Sequence, residues 1–73
     1  MAIDDVPVSG EGIKLGQFLK LANLVESGGE AKQVLADGLV QVNGEPEDRR
    51  GRHLVAGDVV QFGTASARVG AEG

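Results

Sequence analysis

No cysteine occurs among the 73 residues, and tryptophan and tyrosine are missing as well. The first absence removes disulfides, thiolate metal sites and cysteine nucleophiles together. A domain of this size without covalent staples suits a reducing compartment, so a cytoplasmic location is expected. The only aromatics are Phe18 and Phe62. Both fall on positions expected to be core, which leaves no ring to stack unpaired bases. Apolar runs never exceed three residues, as in Leu54-Val55-Ala56, so neither a membrane span nor a signal-peptide core is expected. Bases are scarce too: 7 Lys and Arg stand against 11 Asp and Glu, a formal net charge of -4. Taken as a sum, that balance argues against a nucleic-acid partner, because phosphate binding draws on clustered cations.

Catalytic chemistry is equally thin. His53 is the single histidine, and no serine sits in a nucleophile-elbow context. No acid/base pair stands out, so the chain is expected not to be an enzyme and to need no cofactor. Glu45, Glu47, Asp48 and His53 can be drawn as a metal set. Carboxylates beside arginines on a hairpin are more often ion-paired or solvated, and no metal site is expected.

The charge is unevenly placed. Residues 1–12 carry Asp4, Asp5 and Glu11 with no base, and Glu72 adds one more negative charge at the other end. Residues 13–69 hold all 7 bases, balanced by an equal number of acids. We therefore expect an acidic flexible arm over 1–12, with a short extended piece at Val6–Val8, a domain proper over 13–69, and a disordered tail over 70–73. Seventy-three residues leave room for one core only.

Within the domain, Phe18, Leu19, Ala22 and Val25 keep helical spacing from Gln17 onward, with Gly16 as the expected N-cap. Ser27-Gly28-Gly29-Glu30 fits a capping box in which Ser27 caps the Glu30 amide and Glu30 reaches back to Ser27. Ala31, Val34 and Leu35 make that second helix's buried stripe, and Gly38 its left-handed end. The period then changes to two. Leu39-Val40-Gln41-Val42 alternates, Asn43-Gly44 is a strong hairpin signal, and Pro46 marks an edge strand. A loop at Arg49-Arg50-Gly51-Arg52 leads to the Gly57-Asp58 turn and a strand over Val59–Phe62, which Thr64–Val69 could extend. The expected fold is α+β: two short N-terminal helices packed on a small antiparallel sheet.

Three guanidiniums within four residues repel one another. Two readings stay open for Arg49, Arg50 and Arg52. One is an edge of ion pairs with Glu47 and Asp48; the other is a phosphate clamp, with Gly51 allowing close approach to a backbone. Gly28-Gly29 opens a helix N-terminus, where free amides favour anions, although capping alone explains Ser27 and Glu30. Lys32 lies on that helix's polar face, Lys14 and Lys20 flank the first helix, and His53 belongs to the arginine loop. Each of these is commonly just a solvated side chain.

The strings Lys14-Leu15-Gly16-Gln17-Phe18-Leu19, Ser27-Gly28-Gly29-Glu30-Ala31-Lys32, Gly38-Leu39-Val40-Gln41-Val42-Asn43-Gly44 and Leu54-Val55-Ala56-Gly57-Asp58-Val59-Val60 together resemble the RNA-binding domain named after ribosomal protein S-four, the alpha-L motif. The likeness spans about residues 13–63, in order and spacing, and points to the small stand-alone bacterial branch of that family. It implies a non-catalytic module that binds structured RNA, ribosomal or tRNA-like, through backbone phosphates. Carried over by position, Lys14 matches the basic residue opening the family's first helix, and Lys32 a basic position on its second. Two positions depart: the family often has Arg where Gly28 stands and Asp where Gly16 stands.

Taken together, the residue readings and the resemblance give an expected RNA-contacting set of Lys14, Lys20, Gly28, Gly29, Lys32, Arg49, Arg50, Arg52 and His53, in a monomer with no membrane partner. If the six Lys and Arg of that set all engage, the logarithmic salt slope of binding is about -4 to -5. Two other classes remain. A β-grasp sulfur carrier shares an Asn-Gly-Glu hairpin and a Gly-Asp-Val-Val strand, but needs a terminal Gly-Gly where this sequence has Glu72-Gly73. A protein-interaction module, on the ribosome or elsewhere, could use the acidic arm, either on a basic partner or folded over the arginine loop.

Overall fold

Valine alternation sets the sheet. In the computed structural model, which describes residues 4–71, β3 (Val40–Val42) buries Val40 and Val42 and exposes Gln41. It pairs antiparallel with β6 (Val59–Phe62), so that Val42 faces Val60 and Val40 faces Phe62. On its other side lies β4 (Glu45–Pro46), joined through Asn43-Gly44, both at positive φ, 53° and 85°. Two consecutive left-handed residues are what a type I′ hairpin requires. Pro46 stands on the sheet's edge, where its missing N–H costs least.

Beyond β6 comes β7 (Ala65–Ala71), antiparallel to it, and then β1 (Asp4–Val8), which runs parallel to β7. The order is β1-β7-β6-β3-β4. The sheet is therefore mixed, and the expectation of a purely antiparallel one is corrected. So is the acidic arm: Asp4–Val8 is an edge strand, Val8 belongs to the core, and Asp5 pairs with Arg68 at the register position opposite it. Gly70 and Ala71, expected in a tail, pair with Pro7 and Val8. Glu72 and Gly73 lie outside the described residues. The described residues thus begin with strands, since a further short strand, β2 (Ile13–Lys14), precedes the helices and pairs antiparallel with β5 (His53–Leu54).

The two helices are α1 (Leu15–Leu21) and α2 (Gly28–Ala36). Both end alike. At α2, Gly38 at φ 72° lets the Leu39 N–H reach the Val34 carbonyl and its own N–H reach that of Leu35. At α1, Asn23 at φ 63° does the same, with Leu24 bonding Leu19 and Asn23 bonding Lys20. Each is a Schellman ending, which satisfies carbonyls the helix leaves free. Val25, expected on the first helix, is buried in the connection after it. Leu15, Phe18 and Leu19 from α1 and Ala31, Val34 and Leu35 from α2 pack on Val40, Val42, Leu54, Val60, Ala67 and Val69 in one core. Phe62 is only half-buried at its margin. No helix of the described residues is long and apolar enough to cross a membrane.

The Asn43-Gly44 hairpin and the Gly57-Asp58 turn hold each other. Asn43 Nδ2 donates to Asp58 Oδ1 at 3.0 Å, and the Val59 N–H donates to Asn43 Oδ1 at 2.9 Å. Asp58 Oδ2 accepts from the Val55 N–H at 2.9 Å. These residues carry much of the family resemblance, and their work is structural.

Candidate nucleic-acid interface

The N-terminus of α1 has no side-chain cap. Its N-cap is Lys14, not Gly16 as the sequence predicts, and its first amides are met by the arginine loop. The Leu15 N–H donates to the Arg52 carbonyl at 2.8 Å and the Gly16 N–H to the Arg50 carbonyl at 2.9 Å. Donors left over by helix geometry thus find tertiary acceptors, and this pins the loop across the start of the helix. Gly16 is buried, and a Cβ there would overlap Arg50 Cγ and stand 3.1 Å from Cδ. The stem of Arg50 occupies that space.

Arg49 and Arg52 take another course. Glu47, only 8% exposed, receives Arg49 Nε and Nη2 at 3.2 Å and Arg52 Nη1 at 2.9 Å. It also accepts the Asp48 and Arg49 amides, at 3.1 and 3.2 Å. The Arg49 and Arg52 guanidiniums and the Arg49 amide hold its carboxyl down at about 2, from an ordinary 4.5. The ion-paired reading of the loop therefore holds for Arg49 and Arg52, with Glu47 as their partner, and Arg50 does not join that edge. Glu47 is committed to arginines and His53 Nε2 lies 2.6 Å from the Glu11 carbonyl, so two of the four residues drawn as a metal set have other partners.

Arg50 faces a cleft of about 350 Å³ between α1, the start of α2 and the loop. Lys14, Lys20, Gly28 and Gly51 share its walls with Arg50, together with Gly16, Gln17 and Ala31. No acid lines it. Lys20 Nζ lies 4.0 Å from the point where Gly28 would carry a Cβ, which places an ammonium at the positive end of α2. There Ser27 Oγ accepts the Glu30 N–H at 3.1 Å, and Glu30 reaches back to the Glu26 N–H at 2.7 Å, one residue earlier than a capping box predicts. A shallower hollow, which also touches Lys14, Gln17 and Gly51, adjoins the cleft and ends at Glu11 and His53.

Of the nine residues singled out from the sequence, the cleft gathers Lys14, Lys20, Gly28 and Arg50. Gly29 and Lys32 lie outside its lining, Arg49 and Arg52 are held by Glu47, and His53 sits in the neighbouring hollow. Gly16 and Gln17 line the cleft without having been singled out for it. No local signal marks them, because the partner of Gly16 is 34 residues away in sequence.

A family profile described as "S4 domain" matches residues 6–70. The chain belongs to the S4 domain family. It is 54% identical over 57 residues, 78% of this chain and 80% of the relative, to "Probable ribosome maturation protein RlbA" of Bacillus subtilis. It is 41% identical over 57 residues, 78% of this chain and 81% of the relative, to "Putative RNA-binding protein YbcJ" of Escherichia coli. The S4 resemblance expected over residues 13–63 thus extends into β1 and over most of β7.

Proposed function

We propose that this S4 domain is a non-catalytic RNA-binding module that grips the sugar-phosphate backbone of folded RNA in the cleft between α1, α2 and the arginine loop. One observation carries the proposal: in a chain of net charge -4, three cations and a helix N-terminus converge on a cleft that no acid lines among the described residues. Lys14, Lys20 and Arg50 repel one another there, and an anion offsets that repulsion. Both lysines supply point charges, and Arg50 supplies a planar fork that fits two phosphate oxygens. With Phe18 buried and Phe62 in the sheet, no exposed ring serves single-strand stacking, which favours recognition by shape and backbone. The names of the Bacillus and Escherichia relatives support RNA, and the first supports an RNA of the ribosome, as the target.

Three engaged cations set a logarithmic salt slope of about -2 to -3, shallower than the whole basic complement would give. Fluorescence anisotropy with labelled ribosomal RNA hairpins across a potassium chloride series measures it. A flat salt response, or affinity unchanged in Lys14→Ala, Lys20→Ala and Arg50→Ala, would rule the cleft out.

A further inference from the structure

We propose that Gly16 is the positioning residue of the cleft: by lacking a side chain it lets Arg50, alone of the three loop arginines, cross α1 and present its guanidinium beside Lys20. The assignment rests on the function proposed above. Two independent contacts place Arg50. The Gly16 N–H holds the Arg50 carbonyl at 2.9 Å, and the bare Cα of Gly16 receives the Arg50 Cγ and Cδ. The overlapping atom is Cγ, close to the backbone, so rotation of the outer side chain does not relieve a Cβ at residue 16. Either the χ1 of Arg50 or the loop itself must move. Gly16 is not at positive φ, and alanine is the better helix former. A side chain at this position therefore displaces Arg50 without straining the helix backbone.

Glu47 works to the same end from the other side. By taking up Arg49 and Arg52 it removes two competitors for the cleft and fixes the ends of the segment whose middle is Arg50. The loop thus divides its cations, with two spent on shape and one on binding.

The test compares the wild type with Gly16→Ala, Arg50→Ala and the double variant. Affinity for a fluorescein-labelled RNA hairpin is read across a salt series, alongside thermal melting and NMR contacts of the Arg50 side chain. In the free wild type, Arg50 methylene protons show contacts to the Gly16 α-protons, and Gly16→Ala abolishes them. Gly16→Ala weakens binding about tenfold, as loss of one charge-assisted bond does, and flattens the slope by about 0.7–0.9. Arg50→Ala does the same, and the double variant is no worse than either. If Gly16→Ala melts early, adding Arg50→Ala removes the overlapping Cγ and restores the melting temperature. Wild-type affinity in Gly16→Ala, an undiminished further loss in the Arg50→Ala background, or no thermal rescue overturns the assignment. If the wild type binds no RNA hairpin, the proposed function fails. The NMR contacts and their loss then still decide whether Gly16 places Arg50.

Discussion

Arg49 and Arg50 are adjacent in sequence and opposite in fate. Arg49 lies outward with its side chain 75% exposed, yet its guanidinium is bound to Glu47. Arg50 packs over Gly16 of α1 and faces a cleft that no carboxylate lines among the described residues. Exposure is thus a poor guide to which cation is available. A guanidinium already bonded to a carboxylate must break that bond, or share it, before it can take a phosphate. Both arginines are exposed, and what separates them is the carboxylate that holds Arg49.

The sharpest way to break this contrast is to remove the two arginines separately. Arg50→Ala lowers RNA affinity about tenfold, whereas Arg49→Ala changes it by less than about twofold, since its charge is compensated locally. Anisotropy titrations at one fixed salt concentration distinguish the two. Equal losses would mean that the whole arginine string acts as one clamp.

Glu47 can also be turned against the division it maintains. In Glu47→Gln the carboxylate charge goes, and Arg49 and Arg52 are released towards solvent and RNA. The melting temperature falls by several degrees, because five donors converge on this one side chain. The salt slope steepens at the same time, from about -2 to -3 towards about -4, as two more cations come within reach. Loss of stability with a steeper slope separates this loop from a simple basic patch, in which weaker folding brings weaker binding.

The titration of Glu47 gives a smaller effect with a definite sign. Its carboxyl is depressed in the fold to about 2 from 4.5. A depressed acid contributes stability that is complete above its unfolded value and is lost as pH falls through the folded one. The wild type should therefore lose its advantage over Glu47→Gln progressively between about pH 4.5 and pH 2, with no divergence above that window. Asp5, held down by its hydrogen bonds and ion pair with Arg68, titrates alike in both proteins and cancels from the difference. Melting curves of the two proteins across this range measure it.

What could be read from the sequence follows the range of the interactions. The Asn43-Gly44 turn, the Ser27 cap and the Gly38 ending are set by neighbours within a few residues, and all three are present. The pairing of β1 with β7 joins residues more than sixty apart, as in the Asp5–Arg68 pair, and Pro7 interrupts the segment's pattern. A stretch with three acids and no base therefore reads as an arm. The start of α1 misleads for a related reason. A cap residue is a local device, but here the acceptors are carbonyls of a distant loop, so Gly16 looks like a weak cap when it is a packing site for Arg50. The arginine string was legible as chemistry and ambiguous in use, because one buried carboxylate decides which members remain free.

A last variant asks whether stability and binding separate when the damage lies away from the loop. Gly38 sits at φ 72° with open space around the missing Cβ, so Gly38→Ala meets no clash and carries only the left-handed backbone penalty. That penalty is about 1 kcal/mol. The Schellman ending of α2 loosens, while Gly28 and Lys20 at the helix's other end keep their places. Denaturant unfolding should register the loss, and the RNA salt slope should stay at the wild-type value. A slope that falls with this variant would mean that cleft occupancy tracks global stability, and the distinction between held and free arginines would lose its force.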